Sequence, residues 1–419
     1  MPPVDYSIKN IEEVVRPHLD GTIRNADHAR LTAPGENYLS LVLRVDFEVD
    51  QKGLRKKVST VAKRIPMGDQ QHMIDMHCQT MHNEIKWYKE IVPLLVSFGE
   101  EYGVKVDIFP KCLGARYSLD PTKKRADSES VLVLENLHPE GYGNADRYIG
   151  FDLTATKAIL KKLALFHVLP IAVKTNKPES FETLKRYLDE AKPRPPPKDG
   201  DKPPHGPPGM KPGEKKPEEM LLEAVKNLPE CGPYILKIED VLKRCKMGPM
   251  EEFHLAEEPW NTMVHGDVWV NNIMVKEDRK GVHVKLVDFQ MMRYGSFGHD
   301  LVFFLLSSVR NDVLKEHIDE LLKFYHEEFN SLLRQFRTNL ELPYELFLDM
   351  VKETAYSNEV GHSLTFCTVI FGEKGTGVDV AVEGHDFFAL MRNTLSNMNS
   401  YHKEKLVHIA AESVRKGWI

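Results

Sequence analysis

The order of patterns along this chain predicts an α+β fold in two lobes: a small antiparallel sheet with one packed helix, then a larger and mostly helical region. Two observations predict the small lobe. A pair of runs rich in β-branched and aromatic residues is separated by a turn, and one amphipathic helix follows them. A third predicts the large lobe: beyond residue 135 the apolar spacing is mainly helical.

Taken in order, Ile8, Ile11, Val14 and Val15 recur at helical spacing and predict a short amphipathic helix followed by a turn. YLSLVLRVDF (Tyr38 to Phe47) and VSTVAKRI (Val58 to Ile65) predict an antiparallel hairpin turning over Asp50, Gln51, Lys52 and Gly53, and Pro66 ends its second strand. Met81, Ile85, Tyr88, Val92 and Leu95 predict a helix over 75–95 with one buried stripe. Val104 to Phe109 and Val131 to Leu134 are strand candidates on either side of SLDPTKKRADS. Residues 1–135 then form an N-terminal lobe with a helical extension, and 136–419 a helical C-terminal lobe. A ligand is expected in the cleft at their junction.

Within the second lobe, Leu153 to Val168 and Phe181 to Ala191 predict helices. The stretch 193–217, dense in Pro, Gly and Lys, cannot form a helix or a sheet and predicts a disordered surface insertion, in part polyproline II. It reads as a spacer, with recognition by a proline-binding partner of unknown identity as the competing role. Asn272 to Val275 and Val282 to Val287 are short strands, Asp312 to Phe336 and Glu383 to His402 long helices, and no fixed-period repeat runs through the chain.

Composition narrows the function classes. Among 419 residues, 56 Lys and Arg stand against 62 Asp and Glu, a net charge of −6 with histidine neutral, which disfavours a nucleic-acid partner held by a broad basic field. Cys78, Cys112, Cys231, Cys245 and Cys367 lie far apart with no C-x-x-C, so neither a zinc site nor a disulfide framework is expected. The start MPPVDYSIKN lacks the pattern of a secretory signal, and Leu301 to Leu306 is too short to span a bilayer. The expectation is a cytoplasmic protein without a transmembrane segment.

Polar chemistry is densest in VHGDVWVNNIMV (Val264 to Val275) and KLVDFQMMRYGSFGHDLVFF (Lys285 to Phe304). If the two short strands between these knots lie side by side, Asp267, Asn272 and Asp288 gather at their ends. Such oxygen-bearing groups suit Mg²⁺, a hard cation that retains waters and substrate phosphates. Each triplet alone is ordinary turn chemistry. Two of them flanking a hairpin, with Asp300 further along, favour a metal–phosphate site.

HGDVWVNN followed by VDFQ resembles the catalytic core of protein-kinase-like phosphotransferases that act on small molecules, and within them the choline-kinase-like, ecdysteroid-kinase-like family abundant in insects. The resemblance extends to GENYLSLVLRV from Gly35, VAKRIP from Val61, NEIKWYKEIVPLL from Asn83 and LVLENL from Leu132. It implies a bilobal protein-kinase-like fold, with ATP and Mg²⁺ (Mn²⁺ in its place) and a small-molecule alcohol as acceptor. Asp267 takes the place of the aspartate that receives or positions the proton of the acceptor hydroxyl, and Asn272 and Asp288 that of the metal-holding pair. Because a loop separates Asp267 from Asn272, one is expected to face the acceptor and the other the metal.

Lys63 resembles the strand lysine that contacts the α- and β-phosphates, and Glu84 its helix partner. Arg64 and Glu90 are the competing candidates for an ordinary surface ion pair. LVLENL resembles the hinge, with the backbone of Glu135, Asn136 and Leu137 at the adenine edge and Leu132 and Leu134 shaping apolar walls. The phosphate loop GENYLS has one glycine, and Asn37 and Ser40 are its candidate donors; GEKGTG from Gly372 lacks the ending of a P-loop. His265 resembles the histidine that ties the catalytic loop to the DFQ segment, and Asp300 the buried aspartate that accepts hydrogen bonds from catalytic-loop amides. His167 reads as a satisfied core histidine, and His299 has less claim still.

The main reading is an ATP-dependent kinase moving a phosphoryl group to the hydroxyl of an ecdysteroid or another lipophilic alcohol. The alternatives are a choline- or ethanolamine-type kinase, whose acceptor would need an aromatic cage, and a kinase-shaped binder without transfer. Protein phosphorylation is disfavoured because A-P-E and the conventional Gly-rich loop are missing and Gln290 ends the DFQ triplet.

Overall fold

The computed structural model describes residues 5–32, 40–66, 71–191, 213, 215–245, 255–372 and 387–419. Asn37 and the loop around Gly35, most of the 193–217 insertion, and GEKGTG after Gly372 lie outside the described residues. The fold is mixed α+β, with an antiparallel N-terminal sheet and a larger helical region. Two compact units divide the chain, one containing Met1–Pro93 and Phe109–Tyr142, the other Leu94–Ile108, Gly143–Gly372 and Phe387–Ile419. The first unit therefore continues past the 135/136 boundary expected from the sequence, and the segment 94–108 belongs to the second.

The first unit contains α1 (Ile11–Val15), β1 (Thr22–Arg30), β2 (Leu41–Gln51), β3 (Leu54–Arg64), α2 (Gln71–Lys86), β4 (Cys112–Arg116) and β5 (Val131–Glu135). The strands form a five-stranded antiparallel sheet in the order β1-β2-β3-β5-β4. The β2–β3 turn is only Lys52-Gly53, both at positive φ (52° and 83°), the left-handed pair that suits a two-residue hairpin between twisted strands. Alternation then sorts the two faces. Leu41, Leu43, Val45, Phe47 and Val49 join Ala62, Val131 and Val133 in a core closed by Ile11 and Val15 of α1. A fully buried aliphatic or aromatic side chain of this kind contributes roughly 1.5–3 kcal/mol. Lys63, one residue out of phase with Ala62, points to the other face, opposite Val42 and Leu132.

Several expectations are corrected here. The N-terminal segment was expected to be helix and turn, yet β1 lies in it, with no residue buried and so no hydrophobic alternation. Val104 to Phe109 forms no strand; β4 holds the place beside β5. The helix predicted over 75–95 begins earlier as α2, is interrupted by a π-helical turn at Trp87–Ile91, and resumes as α3 (Val92–Glu101).

The second unit contains α4 (Leu153–Asn176), α5 (Pro178–Ala191), α6 (Pro217–Lys226), α7 (Ile235–Arg244), β6 (Asn261–Val264), β7 (Ile273–Asp278), β8 (Gly281–Leu286), β9 (Arg293–Ser296), α8 (Gly298–Ser308), α9 (Asn311–Gln335), α10 (Tyr344–Thr354), α11 (Val360–Ile370), α12 (Phe387–Ser396) and α13 (Ser400–Arg415). Pro217, counted in the insertion, opens α6 at a position where the missing N–H costs nothing. The helix expected over 383–402 is broken: α12 stops at Ser396, and Asn399 caps α13 by accepting from the His402 amide at 2.8 Å. Asn272 lies in a 3₁₀ turn just before β7, not in the strand.

Candidate active site

Strand phase and helix position decide the first site pair. Lys63 on β3 and Glu84 on α2 are both buried, with Nζ 2.6 Å from Oε2. The competing residues are engaged elsewhere: Arg64 donates to the Ser7 carbonyl at 3.2 Å, and Glu90 lies 3.9 Å from Lys86. A buried pair of this kind is expensive to desolvate, so its value is to fix the position of a cationic tip.

In the second unit, the β7–β8 hairpin does the gathering. Its register pairs Ile273 with Leu286, so the residues flanking it, Asn272 and Val287, fall opposite each other. The Val287 amide donates to the Asn272 carbonyl at 3.0 Å. Asp288 follows at φ 71°, a left-handed conformation that a non-glycine residue adopts at a cost in strain. Asn272 lies against Asp267. The 3₁₀ turn Val270–Asn272 folds it back, and its Nδ2 donates to the Asp267 carbonyl at 2.9 Å and to Oδ2 at 2.8 Å. With the amide nitrogen so occupied, Oδ1 is the Asn272 atom suited to a cation.

Loss of solvent, and then the negative charge of Asp288, push the Asp267 carboxyl up to about 7; the His362 charge and hydrogen bonds from Asn272 and Trp269 pull it the other way. Two crowded carboxylates and an amide oxygen form an all-oxygen donor set whose mutual repulsion a divalent cation would relieve. The residues present therefore fit Mg²⁺. Among the described residues no cluster of three or more His, Cys, Asp or Glu side chains is arranged for a metal.

The loop carrying Asp267 is fastened from behind. Gly266 has φ 77°, and a Cβ there would lie 2.6 Å from the Met291 carbonyl oxygen, so only glycine lets the H-G-D turn pass this close. Asp300, in the first turn of α8, accepts from the backbone amides of His265 (2.7 Å) and Gly266 (2.9 Å) and bonds His167 Nε2 at 3.0 Å. Burial would raise its carboxyl; the hydrogen bond and charge of His167, with the charge and amide of His265, outweigh that and hold it below the usual range. His265 Nε2 donates to the Val287 carbonyl at 3.0 Å, and its ring rests 4.7 Å from Phe289.

His167 is the satisfied core histidine expected from the sequence, joining Asp300 to the Tyr325 hydroxyl, 2.7 Å from Nδ1. Sequence reasoning missed two contributors. Asn144 Nδ2 donates to the carbonyls of Asn271 (2.7 Å) and Ile273 (3.1 Å), clamping the turn beyond Asp267. Buried Glu359 bonds His299 at 2.7 Å and His362 at 3.0 Å. Nothing local marks Asn144 or the His299 contact of Glu359, because those partners are distant in sequence, whereas His362 lies one helical turn from Glu359.

In the expected hinge, the Glu135 amide is spent on the Lys111 carbonyl at 2.9 Å, and its carboxylate accepts the Lys111 amide at 2.8 Å. Asn136 donates to Ser59 Oγ at 3.0 Å and accepts from the His138 amide at 3.1 Å. Leu137, like Ser40 ahead of β2, is buried.

Residues 34–338 match the ecdysteroid kinase-like family. No curated protein matches the chain. Among solved structures, similarity extends to an ethanolamine kinase of Plasmodium vivax, 10% identical with a TM-score of 0.39 over 94% of this chain and 84% of that one. It also extends to a microcompartment-associated aminopropanol kinase, 12% identical with a TM-score of 0.35 over 95% of this chain and 93% of that one. With more than half of its length matched, the chain belongs to the ecdysteroid kinase-like family.

Proposed function

We propose that this chain is an ATP-dependent kinase that moves a phosphoryl group to the hydroxyl of a small molecule. The observation that carries the reading is the Asp267–Asn272–Asp288 arrangement, in which one hairpin brings two carboxylates and an amide oxygen together. Mg²⁺–ATP would supply the phosphoryl group, and its cation would supply positive charge against the charge that develops on the phosphates. Asn272 Oδ1 and Asp288 would hold the cation, Lys63 the α- and β-phosphates, and Glu84 the position of Lys63. Asp267 would orient the acceptor hydroxyl and receive its proton as the new P–O bond forms and the bond to the leaving ADP oxygen breaks. His265 and Asp300 would position the loop.

Two acceptor readings follow. The family description favours a lipophilic alcohol such as an ecdysteroid. An amino alcohol of choline or ethanolamine type draws support from the aromatic pair Trp269–Phe366 beside the Asp267 loop, since an ammonium group binds aromatic faces. The five cysteines stand as free thiols, as a reducing compartment such as the cytoplasm leaves them, and no described helix is long and apolar enough to cross a membrane. Incubating the purified chain with ATP, Mg²⁺ and a native extract tests the reading. A metabolite heavier by one phosphate is the expected result, and none over repeated extracts counts against it.

A further inference from the structure

α11 is buried along almost its whole length. Of its eleven residues, only His362 and Phe366 are not buried. They are four apart and so share one helix face. Gly361 lets α7 press against the opposite side, since a Cβ there would lie 2.6 Å from Cys245 Cβ. A π-helical turn, Ala355–Glu359, leads into α11; such turns re-aim the residues after them and recur at functional sites. Here the turn ends on Glu359, which points inward, before His362, which points out.

The half-buried pair meets the catalytic loop. Phe366 packs edge-on against Trp269 at 5.3 Å and 83°, and Trp269 donates a side-chain hydrogen bond to Asp267. His362 stacks on Phe303 at 4.5 Å and 13°. Its Nδ1 bonds Glu359, whose other oxygen takes His299 Nδ1 and the Asn358 amide (2.9 Å). Burial would raise the Glu359 carboxyl, but the His362 charge and the two imidazole hydrogen bonds hold it well below the usual carboxylate range. The Glu359 carboxylate occupies His362 Nδ1, which leaves Nε2 on the side of the ring away from Glu359.

Resting on the kinase reading of Asp267, we propose that His362 and Phe366 form the acceptor face of the site: His362 Nε2 hydrogen-bonds an O–H of an uncharged alcohol while Phe366 and Trp269 pack against its apolar ring. An uncharged acceptor fits because Glu359 is already spent on two imidazoles and an amide.

The test uses the full chain, ecdysone as the ring-alcohol probe and ethanolamine as the cationic one. Equilibrium binding of each probe and of ATP is measured separately from transfer, in the wild type, His362→Ala and Phe366→Ala. The expected result is ecdysone binding weakened about tenfold in each variant, with ATP affinity within twofold of wild type. If ecdysone binds and both variants bind it as tightly as wild type, the inference is overturned even where transfer occurs. Binding of ethanolamine alone, or of neither probe, overturns it as well. If ecdysone binding depends on both residues but no phosphate moves, the acceptor face stands and the kinase reading falls.

Discussion

Asn272 Nδ2 donates to both the carbonyl oxygen and the Oδ2 of Asp267, at 2.9 and 2.8 Å. The two residues that the sequence assigns to different jobs are thus one rigid unit. Asn272 orients the aspartate with its nitrogen and keeps its oxygen for a cation, so small losses at either residue affect both tasks.

Substituting Asp267→Asn should spare nucleotide binding and reduce kcat by roughly 10²–10⁴, the range of a lost proton acceptor. Nucleotide titration run beside steady-state kinetics reads the two effects apart. Weakened ATP affinity with intact turnover would be the opposite pattern.

Lys63→Met leaves the Glu84 charge buried without its ammonium. Breaking one side of a buried pair costs about 3–5 kcal/mol, while replacing both sides is far milder. Urea unfolding should therefore find Lys63→Met less stable than the Lys63→Met/Glu84→Gln double variant, and both should bind ATP poorly.

Asp300→Ala removes the acceptor of two buried backbone amides, each worth roughly 1–3 kcal/mol when left unsatisfied. The same carboxylate has a pH signature. Its folded pKa is depressed, so its contribution is fully present above the unfolded value of about 3.9 and is lost as pH falls through the folded value. Thermal melts of Asp300→Ala should show a large loss at neutral pH that narrows against wild type in strong acid.

A second pH effect lies on α13. His402 is buried, stacks on Phe371 at 5.6 Å, and has neither ring nitrogen hydrogen-bonded among the described residues. Burial pulls it down to about 4 from 6.5. Its stabilising effect is complete above about 6.5 and drains away as pH falls toward 4, on the order of 3 kcal/mol in all. His408, pulled down to about 3, acts in the same direction. His402→Leu should flatten the stability profile between pH 6.5 and 4; an unchanged slope would contradict the assignment.

How much of this was legible depended on where the information sits. The β2–β3 hairpin could be read because alternation and a Lys-Gly turn are local signals, and they carried Lys63 to the correct face. The Asp267, Asn272 and Asp288 cluster could be read because a single short hairpin gathers it. β1 could not: with no residue buried, it leaves no apolar alternation. The apolar run at 104–109 misled because apolar content alone does not distinguish a strand from a buried irregular segment. The π turns at Trp87–Ile91 and Ala355–Glu359 shift register without any sequence mark. The contacts of His167 and Asn144, and that of Glu359 with His299, depend on partners brought together only by the tertiary fold.

The central claim is that Asp267, Asn272 and Asp288 serve phosphoryl transfer. It is tested most directly by following labelled γ-phosphate from ATP into steroid and amino-alcohol acceptors with wild type and Asp288→Ala side by side. Labelled product from the wild type and almost none from the variant is the predicted result. Equal product from both proteins would contradict it.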